Sequence, residues 1–205
     1  MLNYERRLWR AGVVRIAGVD EAGRGALAGP VVACAAVFSP NAASKLIKKV
    51  RDSKKLTELA RERLYEDIVS AADAWDVGIV SHRLIDRINV VNASLYAMHI
   101  AVQKLAIAPQ RLLLDGYFSA KALNRKFGTV TTPPECIVHG DAHVFSIAAA
   151  SVIAKVTRDR LMRALHQKYP QYGLGEHKGY GTVFHYKMLR LYGPSAVHRA
   201  SYYLG

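Results

Sequence analysis

An apolar run, Ile16-Ala17-Gly18-Val19, stops at two adjacent carboxylates, Asp20 and Glu21, and passes into Ala22-Gly23-Arg24-Gly25. An apolar run bounded by glycine reads as a buried strand that ends abruptly. Two neighbouring acids at the end of a buried strand are costly unless something pairs with or ligates them. A hard divalent cation offsets that cost with oxygen ligands. The glycines behind the acids carry no Cβ, so backbone amides there can approach a phosphate or a sugar closely. One short stretch therefore combines a candidate metal site with a candidate substrate clamp, which points to chemistry on phosphate esters.

The pattern of elements is that of an α/β domain. Residues 13–21 and 30–39 read as strands rich in Val, Ile and Ala, joined through the glycine loop as a hairpin or adjacent pair. A basic stretch from Lys45 to Lys55 reads as turn-rich. Thr57 opens a helix with Leu59, Leu64, Ile68 and Ala72 on an apolar face. Val77–Val80 reads as a short strand, and Val90–Leu105 as a helix with Leu95, Met98, Val102 and Leu105 at helical spacing. Arg111–Asp115 is a second apolar run ending in an acid, and Ile137–Val138 is a short strand before Gly140-Asp141. Phe145–Leu165 reads as a long helix, small and apolar at first and basic later, and His185–Leu191 as another. Strands followed by helices alternating with strands imply a mixed sheet; composition does not fix the strand order.

The chain has 205 residues, half of them hydrophobic, enough for a substantial core, so disorder is not the expectation. A net charge of +13 favours a polyanionic partner. From Lys155 to Arg199 nine Lys/Arg stand against two acids, Asp159 and Glu176, a local balance of +7. No continuous basic amphipathic helix with an aromatic face supports a membrane partner, and no apolar run is long enough to span a bilayer. The N-terminus lacks the apolar segment of a signal peptide. Cys34 and Cys136 lie in apolar stretches and read as free thiols of a reducing compartment. A cytoplasmic, monomeric protein is the expectation.

Asp20 and Asp115 each close an apolar run before a glycine turn, so adjacent strands could present both at one sheet edge. Asp141, between Gly140 and the long helix, is equally suited to cap that helix. Asp52, Asp73 and Asp86 read as solvated or capping acids. Asp159 reads as a partner of Arg158, Arg160 or Arg163.

The stretch from Gly18 to Gly25, followed by Gly29-Pro30-Val31-Val32, resembles the opening of ribonuclease HII. The resemblance continues in order through Asp52-Ser53-Lys54-Lys55-Leu56, Ile85-Asp86 with Asn89, Leu114-Asp115-Gly116, and Gly140-Asp141. It runs on through Ser146-Ile147-Ala148-Ala149-Ala150-Ser151, Ala154-Lys155-Val156-Thr157-Arg158-Asp159 and His177-Lys178-Gly179-Tyr180. It implies a ribonuclease H-like fold over residues 1–205, a mixed five-stranded sheet flanked by helices, with a helical C-terminal extension from about residue 160 that binds substrate.

The same resemblance selects Asp20, Glu21, Asp115 and Asp141 as the catalytic, metal-binding carboxylates, with two Mg²⁺ or Mn²⁺ ions at turnover. Such a pair activates a water and relieves charge on the leaving oxygen, giving 3′-hydroxyl and 5′-phosphate ends. The implied substrates are RNA–DNA hybrids and duplex DNA carrying single ribonucleotides, cut 5′ to the ribonucleotide. Gly23, Arg24 and Gly25 would surround the 2′-hydroxyl, which both donates and accepts hydrogen bonds. Tyr180 would pack on the deoxyribose that follows. Lys54, Lys155 and Lys178 are candidate phosphate contacts, and Ser146 completes the substrate-binding set. His139 stands where lysine is usual, and Ala200 interrupts a His-Arg-Arg-Ser pattern. The segment between Asp115 and Asp141 is longer than usual and basic through Lys121, Arg125 and Lys126. Two other classes remain open to the sequence: a resolvase acting on branched DNA, and a non-catalytic nucleic-acid-binding module. Four placed carboxylates argue against the second, because acids repel phosphate unless a metal intervenes.

Overall fold

The computed structural model describes residues 1–51, 56–127 and 134–204. Its centre is a five-stranded mixed sheet in the order β3-β2-β1-β4-β5. Strands β1 (Ile16–Ala22), β2 (Val31–Val37) and β3 (Ala74–Val80) form an antiparallel meander, whereas β4 (Arg111–Asp115) and β5 (Pro134–Ile137) run parallel to β1. The first two strands are therefore the hairpin-like pair that the sequence implies. β2 is buried at all seven positions, as expected for a strand covered on both faces.

Helix α5 (Val90–Gln103) covers one face. Its Leu95, Met98 and Val102 pack on Val31, Ala33 and Ala35 of β2 and on Leu112 and Leu114 of β4. Helix α8 (Phe145–Lys168) covers the other face, meeting Cys34 and Ala36 through Phe145, Ala149 and Ile153. Its close approach to β1 depends on Gly18, where a Cβ would overlap the backbone of Ser146 and Ile147. Helix α3 (Glu58–Ala71), capped by the Thr57 hydroxyl accepting from Ala60 N–H, packs beside α8 through Leu64, Tyr65 and Ile68.

Several elements differ from the sequence reading. The basic stretch from Lys45 is helical as far as Arg51, within α2 (Pro40–Arg51). Ala43, Leu46 and Val50 give it a buried stripe at helical spacing, and the lysines occupy its outer side. The short helices α4 (His82–Ile88), α6 (Ala120–Phe127) and α7 (Gly140–His143) carry too little periodicity to be read from sequence. So does α1 (Asn3–Arg10), which serves α8 from a distance. Buried Glu5 accepts hydrogen bonds from both Ser146 N–H (2.8 Å) and the Ser146 hydroxyl (3.0 Å), satisfying the amino end of α8 across 141 residues.

After α8 come a 3₁₀ turn (Pro170–Tyr172), α9 (Leu174–His177) and α10 (Val183–Tyr192). They enclose a smaller apolar cluster in which Tyr172, Leu174, Leu189 and Val197 meet Met162 of α8 and Leu27 and Ala28 of the glycine loop. The C-terminal region is thus packed on the loop that follows the acidic pair.

Gly18→Ala should lower stability by about 3 kcal/mol, because the clash is with backbone that cannot rotate away. Chemical denaturation of the purified variant measures it; an unchanged midpoint would show that α8 can shift off β1 at no cost.

Candidate active site

The ladder between β1 and β4 ends at the pair Val19–Leu114, so Asp20 and Asp115 are the next residues on adjacent parallel strands. Side chains alternate along a strand, and both aspartates share a face with Gly18 and Leu113, the face covered by α8. The Ser151 hydroxyl of α8 accordingly donates to Asp20. Gly140 N–H donates to Asp115 Oδ1 at 2.6 Å, and the amides of Asp141 and Gly116 also point to that carboxylate. The Gly140 turn therefore carries Asp141 beside Asp115.

Electrostatics confirm the crowding. Burial, followed by the charges of Glu21 and Asp115, pushes Asp20 well above the usual carboxylate range. Burial also raises Glu21, which Arg24 partly offsets from 3.6 Å away. Asp115 is raised by burial and then by Asp141. These acids thus act on one another at the carboxyl ends of the two central strands. As placed, no three His, Cys, Asp or Glu side chains among the described residues converge closely enough to hold an ion. The donor set nevertheless fits hard divalent cations, being made wholly of carboxylate oxygens whose mutual repulsion a cation offsets.

A groove of about 400 Å³ opens beside Glu21. Gly23, Arg24 and Gly25 form one wall, Tyr180 closes another, and Lys155, Ser151 and Val152 come from α8. Five of the expected substrate-binding residues, Gly23, Arg24, Gly25, Lys155 and Tyr180, thus share one groove with a predicted metal ligand. Arg61 and Ser151 line it as well and were not singled out from the sequence. Ser151 does carry a signal, since it closes the Ser146-Ile147-Ala148-Ala149-Ala150-Ser151 stretch on which the family resemblance rests.

Other expectations change. Ser146 is fully buried and bonded to Glu5, so it serves the helix end and not the groove. Lys178 is buried, with a left-handed backbone; its ammonium donates to Gly175 O and stands 3.5 Å from Glu58. Lys54 lies outside the described residues. Asp159 pairs with Lys155 one turn away, whereas Arg160 and Arg163 reach Glu58, Glu62 and Glu66 of α3. Asp86 is more than a solvated acid: it accepts from Ala200 N–H, Ser201 N–H and the Ser201 hydroxyl, fastening the C-terminal loop to α4. At Ala200 the bond is made by the backbone, so the missing side chain costs that contact nothing. Arg125 of the basic α6 donates to Asn92 Oδ1 at 2.7 Å, and Lys126 lies over the Tyr96 ring. Cys34 and Cys136 are free thiols, as expected.

Below Tyr180 three histidines define a fixed pattern of protons. Ser195 N–H donates to His198 Nδ1, His198 and His185 meet through their Nε2 atoms at 3.0 Å, and His185 Nδ1 stands 2.9 Å from Tyr180 O. Only neutral rings satisfy this chain, with His198 Nε2–H donating to His185 and His185 Nδ1–H donating to Tyr180. His177 stacks on His185 with centroids 4.3 Å apart. Burial, reinforced by His185, lowers His198 to about 4, and burial lowers His177 and His185 too.

The fold and these carboxylates define a class: a ribonuclease H-like α/β domain with acids at the ends of its central strands. The family model described as Ribonuclease HII matches residues 17–204, and the chain belongs to that family as a type II ribonuclease H. It is 46% identical over 202 residues to Ribonuclease HII of Geobacillus kaustophilus, covering 98% of this chain and 73% of the relative. It is 45% identical over 202 residues to that of Chlorobaculum parvum, covering 98% and 95%. The crystal structure of ribonuclease H2 from Pyrococcus horikoshii superposes with a TM-score of 0.78 at 29% identity, covering 93% of this chain and 94% of that one.

Two outcomes test the electrostatics. Asp20→Asn should raise the melting temperature of the metal-free protein by a few degrees, because it removes a buried charge that its neighbours oppose; a lower melting temperature would contradict the repulsion. His198 has a folded pKa near 4, against 6.5 for an unconstrained ring, so the unfolded chain binds the extra proton between those values. Stability contributed by His198 is therefore lost as pH falls from 6.5 towards 4. Thermal melts of the wild type should drop more steeply across that window than those of His198→Asn.

Proposed function

We propose that this protein is an endoribonuclease that hydrolyses the RNA strand of RNA–DNA hybrids and cuts duplex DNA 5′ to single embedded ribonucleotides. The observation that carries the reading is the register of β1 and β4, which sets Asp20 and Asp115 side by side next to a groove walled by Gly23-Arg24-Gly25 and Tyr180. Asp20, Glu21, Asp115 and Asp141 are the residues that would hold two divalent ions, Mg²⁺ or Mn²⁺. Bound there, such ions supply an activated water and charge relief at the leaving 3′ oxygen.

The chain's own groups do the recognition. Backbone amides of Gly23-Arg24-Gly25 hydrogen-bond the 2′-hydroxyl, and the half-exposed Tyr180 ring packs on the sugar that follows. Lys155, at the groove wall, meets a backbone phosphate. The products carry a 3′-hydroxyl and a 5′-phosphate. Residues 1–205 act as one catalytic domain, with those from about 160 forming the substrate-binding side. No helix among the described residues is long and apolar enough to cross a membrane, and the buried free Cys34 accords with a reducing, cytoplasmic setting. The role that follows from the proposed activity is ribonucleotide and RNA-primer removal.

Incubation with a duplex carrying one ribonucleotide, with and without Mg²⁺ or Mn²⁺, tests the reading directly. Cleavage 5′ to the ribonucleotide, only with metal and not on all-DNA duplexes or junctions, is expected; cutting of all-DNA junctions would replace it with a resolvase. Asp141→Asn should lower the rate by at least about a hundredfold with the fold intact. Near wild-type turnover would make Asp141 a helix cap alone.

Tyr180→Ala should reduce cleavage at a single ribonucleotide more than cleavage within continuous RNA, where the following sugar is not deoxyribose. Equal losses on the two substrates with a lowered melting temperature would assign the ring to packing.

A further inference from the structure

Arg158 and Arg199 are the two largest side chains among those described that are fully buried, and neither forms an ion pair with a carboxylate of the described residues; backbone carbonyls receive their protons. Arg199 donates to Gly23 O (2.7 Å), Arg24 O (2.9 Å) and Gly29 O (3.1 Å). Arg158 donates to Ala28 O (3.2 Å), Pro30 O (3.0 Å) and Lys178 O (2.9 Å), and its guanidinium lies 5.4 Å from the centre of the Tyr180 ring. Tyr202 adds a third inward donor, its hydroxyl bonding Arg24 O at 2.8 Å. At Gly23, a Cβ would collide with the Arg158 side chain.

Peptide C=O and N–H groups point in opposite directions across a trans bond, and the described chain has no cis bond. With the carbonyls of Gly23 and Arg24 drawn inward to Arg199, the N–H groups of Arg24 and Gly25 are turned away from it, toward the groove that these residues wall. Packing alone does not account for two buried cations held only by neutral acceptors, because apolar side chains of like volume fill such space at lower cost. We propose that Arg158 and Arg199 are positioning residues for ribonucleotide selection: Arg199 locks the peptide planes of residues 23–25 as donors to the 2′-hydroxyl, and Arg158, packed against Gly23 and beneath the Tyr180 ring, fixes that ring opposite. The inference rests on the ribonuclease HII reading of the groove.

The test is binding, measured in chelator so that no strand is cut, to a duplex carrying one ribonucleotide and to the same duplex in all-DNA form. The wild type should favour the ribonucleotide duplex. Arg199→Met should lose about tenfold of that preference, the effect of one misplaced hydrogen-bond donor, and keep all-DNA affinity within about twofold. Arg199→Lys should fall between the two. Tyr202→Phe, which removes one hydroxyl at a partly exposed site, should weaken the preference by about threefold without altering the melting temperature. Preference retained in Tyr202→Phe and in any folded Arg199 variant would overturn the proposal. So would a parallel fall in both affinities that tracks melting temperature. A wild type without preference would overturn the reading of the groove itself.

Discussion

The close seating of α8 on β1 is the constraint on which the rest depends. Gly18 has no side chain to hold the helix off, and the first half of α8 is small where it crosses the sheet, through Ala148, Ala149 and Ala150. That seating brings Ser151 to Asp20 and sets Glu5 against the amino end of α8. It also carries the second half of the helix past the glycine loop, where Arg158 and Met162 emerge. The acid cluster and the glycine loop are thus indexed to one rigid element, which would let a groove on loops hold the sub-ångström tolerance that the proposed catalysis requires.

The acid cluster opposes folding. Asp20, Glu21 and Asp115 are each raised above their ordinary pKa, first by burial and then by neighbouring acids (Glu21 and Asp115 at Asp20, Asp115 at Glu21 against the opposing Arg24, and Asp141 at Asp115), so the site stores repulsion that bound divalent ions would release. The scaffold tolerates it because the surrounding strands are buried on both faces and the turns around Asp115 direct three backbone amides at its carboxylate. On the proposed reading stability is given up where function needs charge, an arrangement common at active sites.

Much of this was legible in the sequence, and the illegible parts share a cause. The strands carrying Asp20 and Asp115 are readable because apolar runs closed by acid and glycine have few other meanings, although β1 runs on through Glu21 to Ala22, still paired with β2, and only β4 ends at its acid. The long helix was readable from its length and small residues. Helix α2 was misread because Lys45, Lys48 and Lys49 obscured the stripe of Ala43, Leu46 and Val50. Glu5 could not be foreseen as the cap of α8, since its partner lies 141 residues away. Arg158 and Arg199 enter the sequence reading only within the basic balance of Lys155 to Arg199, and Arg158 as a partner of Asp159; arginine is rarely buried, and only the fold shows six carbonyls converging on them. Lys178, a candidate phosphate contact, and Ser146, in the substrate-binding set, are both buried by the fold.

The basic C-terminal half therefore divides its charge between two tasks. Of the nine cations between Lys155 and Arg199, Arg158 and Arg199 are internal, Arg160 and Arg163 pair with α3, and Lys155 and Lys178 have acidic neighbours. Direct phosphate contact is thus a smaller part of this charge than the sequence suggests. The net charge of +13 still draws a polyanion over a range set by the screening length, about 8–10 Å at ordinary ionic strength. Discrimination between sugars cannot come from that field, because RNA and DNA present the same phosphates. It has to come from groups that tell a 2′-hydroxyl from hydrogen, and such groups discriminate only if they cannot rearrange when the hydroxyl is missing. Internal cations that hold a glycine-rich loop by its carbonyls would supply that rigidity, on the proposed reading, where glycine itself supplies none.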